Sequence, residues 1–135
     1  MPTSPDQSPD GLIAAARQAR ANAYAPYSHF LVGVAVLAGG RVFTGVNVEN
    51  ASYPIGVCAE RTAIGAAVTA GHRDIRVVAV VGSADQPTPP CGGCRQFISE
   101  FGSDIVVVAE TEDGRRREWR IADLLPDAFG PAFLE

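Results

Sequence analysis

Two apolar runs limit the fold of this chain more than any other feature. Residues 75–82 read "IRVVAVVG" and residues 104–110 read "DIVVVAE", and neither run alternates with polar residues. Continuous runs of this kind are typical of strands that are buried on both faces. Because helices must then cover the sheet, the pattern predicts an α/β fold.

The rest of the chain supplies the other strands and helices. Two β-branched runs around "AGGR" predict a hairpin over residues 30–48, and residues 115–121 ("RRREWRI") predict an edge strand. Helices are predicted over residues 10–24 with Asp10 as the cap, over 58–72, over 91–102 and within 122–135. We therefore expect a three-layer α/β/α sandwich with a mixed five-stranded sheet. Residues 10–135 should form one domain, preceded by a flexible tail over residues 1–9.

Composition excludes several classes of function. Hydrophobic residues make up 47% of the 135 residues and charged residues 19%, so the chain can bury a core. The net charge of −4 argues against a broad nucleic-acid surface, and the absence of lysine excludes Schiff-base chemistry. No signal peptide is recognisable, and the longest apolar stretch is too short to span a bilayer. We expect a cytoplasmic protein that does not bind membranes.

The chain has three cysteines, at positions 58, 91 and 94. An odd number without an export signal is a poor basis for a disulfide framework. Taken alone, Cys58 fits a small buried apolar residue. The C-x-x-C pair alone fits a redox site or half of a structural zinc site. The choice between these readings depends on where the three cysteines lie in the fold.

Each cysteine falls at the start of a predicted helix. Cys58 opens one helix, Cys91 opens the next, and Cys94 follows Cys91 by one helical turn. If both helix N-termini meet at one end of the sheet, the three thiols can surround a single ion. Three protein ligands with an open fourth position are typical of catalytic zinc. His29 and His72 lie in turn-like contexts and are not expected to be ligands.

Charged residues adjoin these cysteines. Three thiolates around Zn²⁺ leave a net negative charge, which two helix N-termini and Arg61 can offset. Arg95 directly follows Cys94, but it fits a surface cation equally well. Glu60 lies two residues after Cys58, where a carboxylate can carry protons beside a metal-activated water. Taken alone, Glu60 would more simply be a helix N-terminal acid that favours the dipole.

Together these motifs resemble a known family. "CAE" at residues 58–60, followed by "PCGGC" at 90–94, fits the zinc deaminase signature with cysteine in the histidine position. The chain resembles the small homotetrameric cytidine deaminases from about Tyr24 to Phe133. The stretches "PYSHFLVG", "TGVNVENASY", "CAERTAI", "PCGGCRQ" and "LLPDAFGP" follow that family's order and spacing. Departures are small: Gly93 stands where alanine is common, and the approach to the second motif is short.

The resemblance implies a function and a set of site residues. It implies hydrolytic deamination of cytidine and deoxycytidine in pyrimidine salvage, with one zinc per subunit and sites shared within a homotetramer. Glu60 would transfer the protons. The nucleoside-binding residues that it implies are Asn47 and Glu49 for the ribose, Phe30 and the Ala59 backbone for the pocket, and Phe129 from a neighbouring subunit. Asn47 and Glu49 are two apart at a strand end, so their side chains can share one face.

Three other functions remain open at this point. A blasticidin-type deaminase would share the zinc and the glutamate, but the "NVEN" stretch that matches the ribose-binding positions argues against it. A polynucleotide deaminase should carry a basic track, whereas only residues 115–117 ("RRR") are strongly basic. We interpret these arginines as a charged edge strand protected from aggregation. The third alternative is a structural zinc or thiol-redox protein without enzymatic activity.

Overall fold

Five strands form a single mixed sheet in the order β2-β1-β3-β4-β5. The computed structural model describes residues 6–135, so most of the predicted tail at 1–9 lies outside the described residues. The strands are β1 Val32–Ala38, β2 Arg41–Val46, β3 Ile75–Gly82, β4 Val106–Glu110 and β5 Arg116–Arg120. The helices are α1 Pro9–Arg20, α2 Ala59–Thr69, α3 Gly92–Ser99 and α4 Ile121–Leu124, with short 3₁₀ turns at Tyr53–Ile55 and Pro131–Leu134.

The sheet is covered on both faces, which confirms the predicted three-layer sandwich. Residues of α2, α3 and α4 pack on one face against alternate positions of β1, β3 and β4, such as Val34, Val78 and Val107. Helix α1 covers the other face, where Leu12 and Ala16 contact the intervening positions. The central strands therefore bury both of their faces, as their unbroken valine runs predict.

Strand directions place two helix N-termini at one end of the sheet. β1 runs antiparallel to both β2 and β3, so β2 and β3 run in the same direction and finish at the same end of the sheet. Helix α2 follows β2 and helix α3 follows β3, and α3 joins β3 to the parallel strand β4. The β1–β2 hairpin turns at Gly39 and Gly40, both with positive φ, which glycine adopts without steric cost. Helices α2 and α3 both begin with a cysteine as the N-cap residue, at Cys58 and Cys91.

The first helix differs from the prediction. Ser8, not Asp10, is its N-cap, and the Ser8 hydroxyl accepts a hydrogen bond from the Gly11 N–H. Asp10 forms an ion pair with Arg116 instead. The helix ends at Arg20, four residues earlier than predicted, and the chain then turns so that the Tyr24 N–H donates to the Asn47 carbonyl. No helix in the described part of the chain is long and apolar enough to cross a membrane.

Candidate metal centre

The thiols of Cys58, Cys91 and Cys94 converge at the N-termini of α2 and α3. Their sulfur atoms all lie within 4.8 Å of one another, and Cys58 Sγ is 3.9 Å from Cys91 Sγ. Both N-cap cysteines have extended backbone, and neither side chain hydrogen-bonds its own helix. Their sulfur atoms are therefore free to point toward a shared centre, as the sequence predicts.

This arrangement fits a zinc ion. Zn–S bonds of about 2.3 Å in tetrahedral geometry separate the sulfur atoms by about 3.8 Å, which matches the spacing of Cys58 and Cys91. Among residues 6–135, these three cysteines are the only group of metal-ligating side chains close enough to hold an ion. His72 lies beside Phe43 instead, with ring centroids 5.6 Å apart. A three-thiol site without a fourth protein ligand leaves one position open for a reactant.

Arg61 supplies positive charge to the cysteines. Its Nη2 donates to Cys58 Sγ over 3.6 Å and lies 3.5 Å from the Gly56 carbonyl. In the absence of metal, hydrogen bonding from Cys94 and then from Arg61 lowers the pKa of Cys58. The same bond with Cys58, together with burial, raises the pKa of Cys94. Cys58 is therefore the thiol that loses its proton more readily than Cys94, and thiols must lose their protons to bind a metal ion.

Glu60 lies next to the thiols in the first turn of α2. Only 5% of its surface is exposed, which is unusual for a glutamate. Burial, and to a lesser extent the negative charge of Cys58, raises the pKa of Glu60. A raised pKa makes a carboxyl group a better proton acceptor than an exposed glutamate. The structure thus gives Glu60 the properties that a proton carrier needs.

A cavity of about 350 Å³ opens beside the cysteines and Glu60. This volume lies within the usual range for small-molecule sites. The residues that line it come from the segment before β1 and its first residue, the loop after β2, the start of α2, strand β3 and the loop before α3: Ser28, Phe30, Val32, Asn47, Glu49, Cys58, Ala59, Glu60, Val80, Thr88, Pro89 and Cys91. The cavity brings together all of the candidate residues predicted from the sequence except Cys94, Arg61 and Phe129.

Asn47 and Glu49 are already held in place by hydrogen bonds. Asn47 Oδ1 accepts from the Val32 N–H over 2.9 Å, and Asn47 Nδ2 donates to the Phe30 carbonyl over 2.8 Å. Glu49 accepts from the backbone N–H groups of Tyr27 and Ser28, and also from the Ser28 hydroxyl. The amide keeps one donor and one acceptor site free, and the carboxylate keeps further lone pairs. Both side chains can therefore still bind a ligand from fixed positions.

Phe129 lies apart from this cavity in its own chain. It follows α4, is 57% exposed, and helps to line a different cavity beside α3 and α4. The Arg95 guanidinium donates to the carbonyls of Pro90 and Leu124, and among residues 6–135 no hydrogen bond joins it to a thiol. Reasoning from the sequence missed two residues that hold other candidates in place. Ser28 donates a hydrogen bond to the Glu49 carboxylate, and Gln96 donates one to the Phe129 carbonyl. Both lie within quoted motifs, but no spacing signal identifies their distant partners.

Comparison with known proteins agrees with this geometry. The family model of the cytidine and deoxycytidylate deaminase zinc-binding region matches residues 7–110. The chain belongs to this deaminase family. The zinc-binding character of the family agrees with the cysteine cluster, and the resemblance drawn from the sequence motifs is confirmed.

Full-length relatives support the assignment to the family. A cytidine deaminase of Halalkalibacterium halodurans is 47% identical over 120 residues, which cover 87% of this chain and 91% of that protein. The crystal structure of a cytidine deaminase from Burkholderia pseudomallei has a TM-score of 0.86 and 49% identity, covering 89% of this chain and 98% of that one. For the Mycobacterium tuberculosis cytidine deaminase the TM-score is 0.78 and the identity 42%, with coverage of 93% and 99%.

Proposed function

We propose that this protein hydrolyses cytidine and deoxycytidine to uridine and deoxyuridine with release of ammonia. The observation that carries the proposal is the placement of a buried glutamate and three convergent thiols in one nucleoside-sized cavity. Relatives at 44–47% identity are named cytidine deaminases. We assign the reaction to pyrimidine salvage in the cytoplasm, where reducing conditions preserve free thiols. Residues 10–135 act as one catalytic domain.

Cys58, Cys91 and Cys94 hold the zinc in this proposal. When bound, Zn²⁺ supplies a Lewis acid that makes a water molecule nucleophilic near neutral pH. The three thiolates would over-compensate the ion by one negative charge. Arg61, which contacts Cys58, and the N-termini of α2 and α3 offset that excess.

Glu60 moves every proton in the proposed reaction. It accepts a proton from the attacking water and passes it to N3 of the cytosine, and it then takes the proton of the new hydroxyl on C4 and gives it to the amino group, which leaves as ammonia. Its burial supports this role because desolvation raises the pKa of the Glu60 carboxyl group and so makes it a better proton acceptor. A single group serves all transfers because it lies beside the open face of the cysteine cluster.

The nucleoside is held by residues around the same cavity. Asn47 and Glu49 bind the ribose hydroxyls through the donor and acceptor sites that their internal hydrogen bonds leave free. Phe30 packs on the nucleoside, and the backbone of Ala59 hydrogen-bonds the base. These positions enclose a single nucleoside, so a polynucleotide is not expected to enter.

Assembly completes the site. We propose a homotetramer in which Phe129 of one subunit stacks on the pyrimidine bound by a neighbour. Two features support this: Phe129 is exposed in its own chain, and among the described residues it does not line the cavity that contains Glu60. An exposed aromatic that serves a partner is a common way to use such a residue.

The decisive test of the function measures zinc content and ammonia release on the same purified protein. We expect one zinc per chain and release of one ammonia per cytidine consumed. Blasticidin S and single-stranded oligonucleotides containing cytosine serve as comparison substrates and should react far more slowly. Bound zinc without ammonia release from cytidine would instead indicate a structural zinc protein.

Replacing Arg61 should weaken catalysis more than substrate binding. Without the hydrogen bond to Cys58, Arg61→Ala leaves the thiolates under-compensated. A hydrogen bond to a charged group contributes about 1.5–3 kcal/mol, so kcat should fall roughly tenfold to a hundredfold. Arg76→Ala is the matched control because, among residues 6–135, Arg76 pairs only with Asp74, at the surface. Equal turnover of Arg61→Ala and the parent between pH 6 and 9 would refute the charge argument.

Replacing Phe129 should weaken nucleoside binding without loss of zinc. Stacking of a base on an aromatic contributes about 1–3 kcal/mol, so KM for cytidine should rise roughly tenfold to a hundredfold in Phe129→Ala. Hybrids of Phe129→Ala and Glu60→Gln chains test where the ring acts. Some hybrid sites combine an intact Glu60 with an intact Phe129 from the other chain, so activity should exceed that of either parent. No recovery after proven subunit exchange would contradict shared sites.

A further inference from the structure

Phe129 is oriented by two contacts within its own chain. The side-chain amide of Gln96 on α3 donates to the Phe129 carbonyl over 2.8 Å. The ring of Phe133 stacks on the ring of Phe129, with centroids 5.4 Å apart and an interplanar angle of 16°. We call Gln96, Phe129 and Phe133 the tail clamp. It links the helix that carries Cys94 to the C-terminal segment.

The segment that leads to Phe129 is not part of a helix or a strand. Residues 125–130 form neither helix nor strand, and Asp127 has a positive φ of 53°, which is uncommon for a residue other than glycine. Arg95 anchors the start of the segment, since its Nη1 donates to the Leu124 carbonyl over 3.0 Å. Beyond that anchor, the position of the Phe129 backbone depends on side-chain contacts such as that of Gln96.

The stack also determines which face of Phe129 is available. Burial cannot fix the ring, because Phe129 is 57% exposed and Phe133 is 71% exposed. Two nearly parallel rings at this distance cover one face of each other. Phe133 therefore shields one face of Phe129 and leaves the opposite face free for another flat group. A planar base could stack there without disturbing the pair.

We propose that Gln96 and Phe133 are positioning residues that aim Phe129 at the nucleoside bound by a neighbouring subunit. This inference rests on the proposed function, in which Phe129 serves a partner's site. It also gives the contact between subunits a direction: α3 of one subunit, the helix that carries Cys94, sets the nucleoside affinity of the next subunit. The residues act through Phe129 and do not touch the substrate.

Single substitutions give the first test. Gln96→Met keeps the length of the side chain but removes the donor, so KM for cytidine should rise about threefold to tenfold, the range expected for one neutral hydrogen bond. The zinc content, kcat and melting temperature should stay at the parent values. Gln96→Glu places a carboxylate against the Phe129 carbonyl and should raise KM further. Gln18→Met, on the opposite face of the sheet, is the matched control and should leave KM unchanged.

Phe133 is tested in the same way. Phe133→Ala should raise KM by a similar factor, because Phe129 loses the ring that stacks on one of its faces. Leu134→Ala is the control, since Leu134 is the adjacent residue and is also exposed, at 79%. If Gln96→Met and Phe133→Ala both keep the parent KM, the tail clamp does not position Phe129 and the inference is wrong.

Hybrid tetramers decide where Gln96 acts. Chains carrying Gln96→Met and chains carrying Glu60→Gln are co-expressed with different tags, and doubly tagged tetramers are purified. All active sites then lie in Gln96→Met chains, but some receive Phe129 from a chain with intact Gln96. Part of the activity should therefore return to the parent KM. Hybrids of Phe129→Ala with Glu60→Gln, prepared in the same way, show whether sites are shared at all.

The outcomes distinguish a failure of the role of Gln96 from a failure of the shared site. Recovery in both hybrids supports the inference. Recovery with Phe129→Ala but a persistently raised KM with Gln96→Met means that Gln96 acts on its own site, which overturns the inference and leaves the shared site intact. No recovery in either hybrid removes the shared site and the inference with it. Deamination of cytidine by the parent protein is measured in parallel, so a failure of the proposed activity is recognised independently.

Discussion

The Glu60→Gln variant should keep its fold and its zinc but lose turnover by several orders of magnitude. Glutamine preserves the size of the buried side chain and removes its ability to accept a proton. Loss of one general base usually costs about 10²–10⁴ in rate. A larger loss is expected here because the same carboxyl group serves each proton transfer in the proposed reaction. The measurement is kcat for cytidine at matched zinc occupancy.

Two controls make this result interpretable. Glu100→Gln removes an exposed carboxylate at the end of α3 and should leave kcat unchanged. The zinc content of Glu60→Gln should match the parent, and its melting temperature should be equal or slightly higher, because neutralising a buried carboxylate removes a desolvation cost. Activity within tenfold of the parent would mean that another group carries the protons, and Glu60 would then be only a buried residue at a helix N-terminus.

The cysteine cluster shows what the sequence alone can predict. The thiols lie at helix starts, and β2 and β3, both antiparallel to β1, run in the same direction, so the helices that follow them begin at the same end of the sheet. Continuous apolar runs identify β3 and β4, and a glycine stop marks the end of α2 at Gly71, whose φ is 93°. Each of these signals is local in sequence, so convergence of the cysteines follows from spacing and topology without knowledge of side-chain contacts.

Long-range side-chain contacts could not be predicted in the same way. Asn47 matches a ribose-binding position by resemblance, yet it also ties together the backbone of Phe30 and Val32. Its partners are 15 and 17 residues away in sequence, and nothing in the local pattern selects them. The prediction of Asp10 as the N-cap of α1 was wrong for a related reason. Ser8 and Asp10 are both good cap residues, and the ion pair of Asp10 with Arg116 on β5 is visible only in the fold.

The spacing between α2 and the sheet is a further feature that only the structure reveals. Gly45 lies on the edge strand β2, paired with Val34 of β1, directly beneath α2. A Cβ atom at this position would lie 2.4 Å from the Ala63 backbone nitrogen and 2.9 Å from the Ala59 carbonyl oxygen. These contacts involve the helix backbone, which cannot rotate out of the way as a flexible side chain could. The lack of a side chain at Gly45 therefore sets how closely α2 packs.

Gly45→Ala should consequently damage both stability and the active site. Over-packing of a core usually costs about 1–3 kcal/mol, and a clash with helix backbone belongs at or above the top of that range. Relief of the clash moves α2 outward together with Cys58 and Glu60, while Cys91 and Cys94 stay on α3. A displacement near 1 Å in a catalytic group can cost about 100-fold in rate. We expect a melting temperature lower by roughly 10 °C, weaker zinc binding and a large loss of kcat.

Gly93→Ala is the matched control for this prediction. Gly93 lies in α3 between two zinc-ligand candidates, and a Cβ atom there would meet no atom within 4 Å. The same chemical change should stabilise the protein by up to about 1 kcal/mol, because alanine is the better helix former. Melting temperature, zinc affinity in a chelator competition and kcat are measured for both variants at equal protein concentration. If Gly45→Ala equals Gly93→Ala in all three, the close approach of α2 to β2 does not hold Cys58 in register with Cys91 and Cys94.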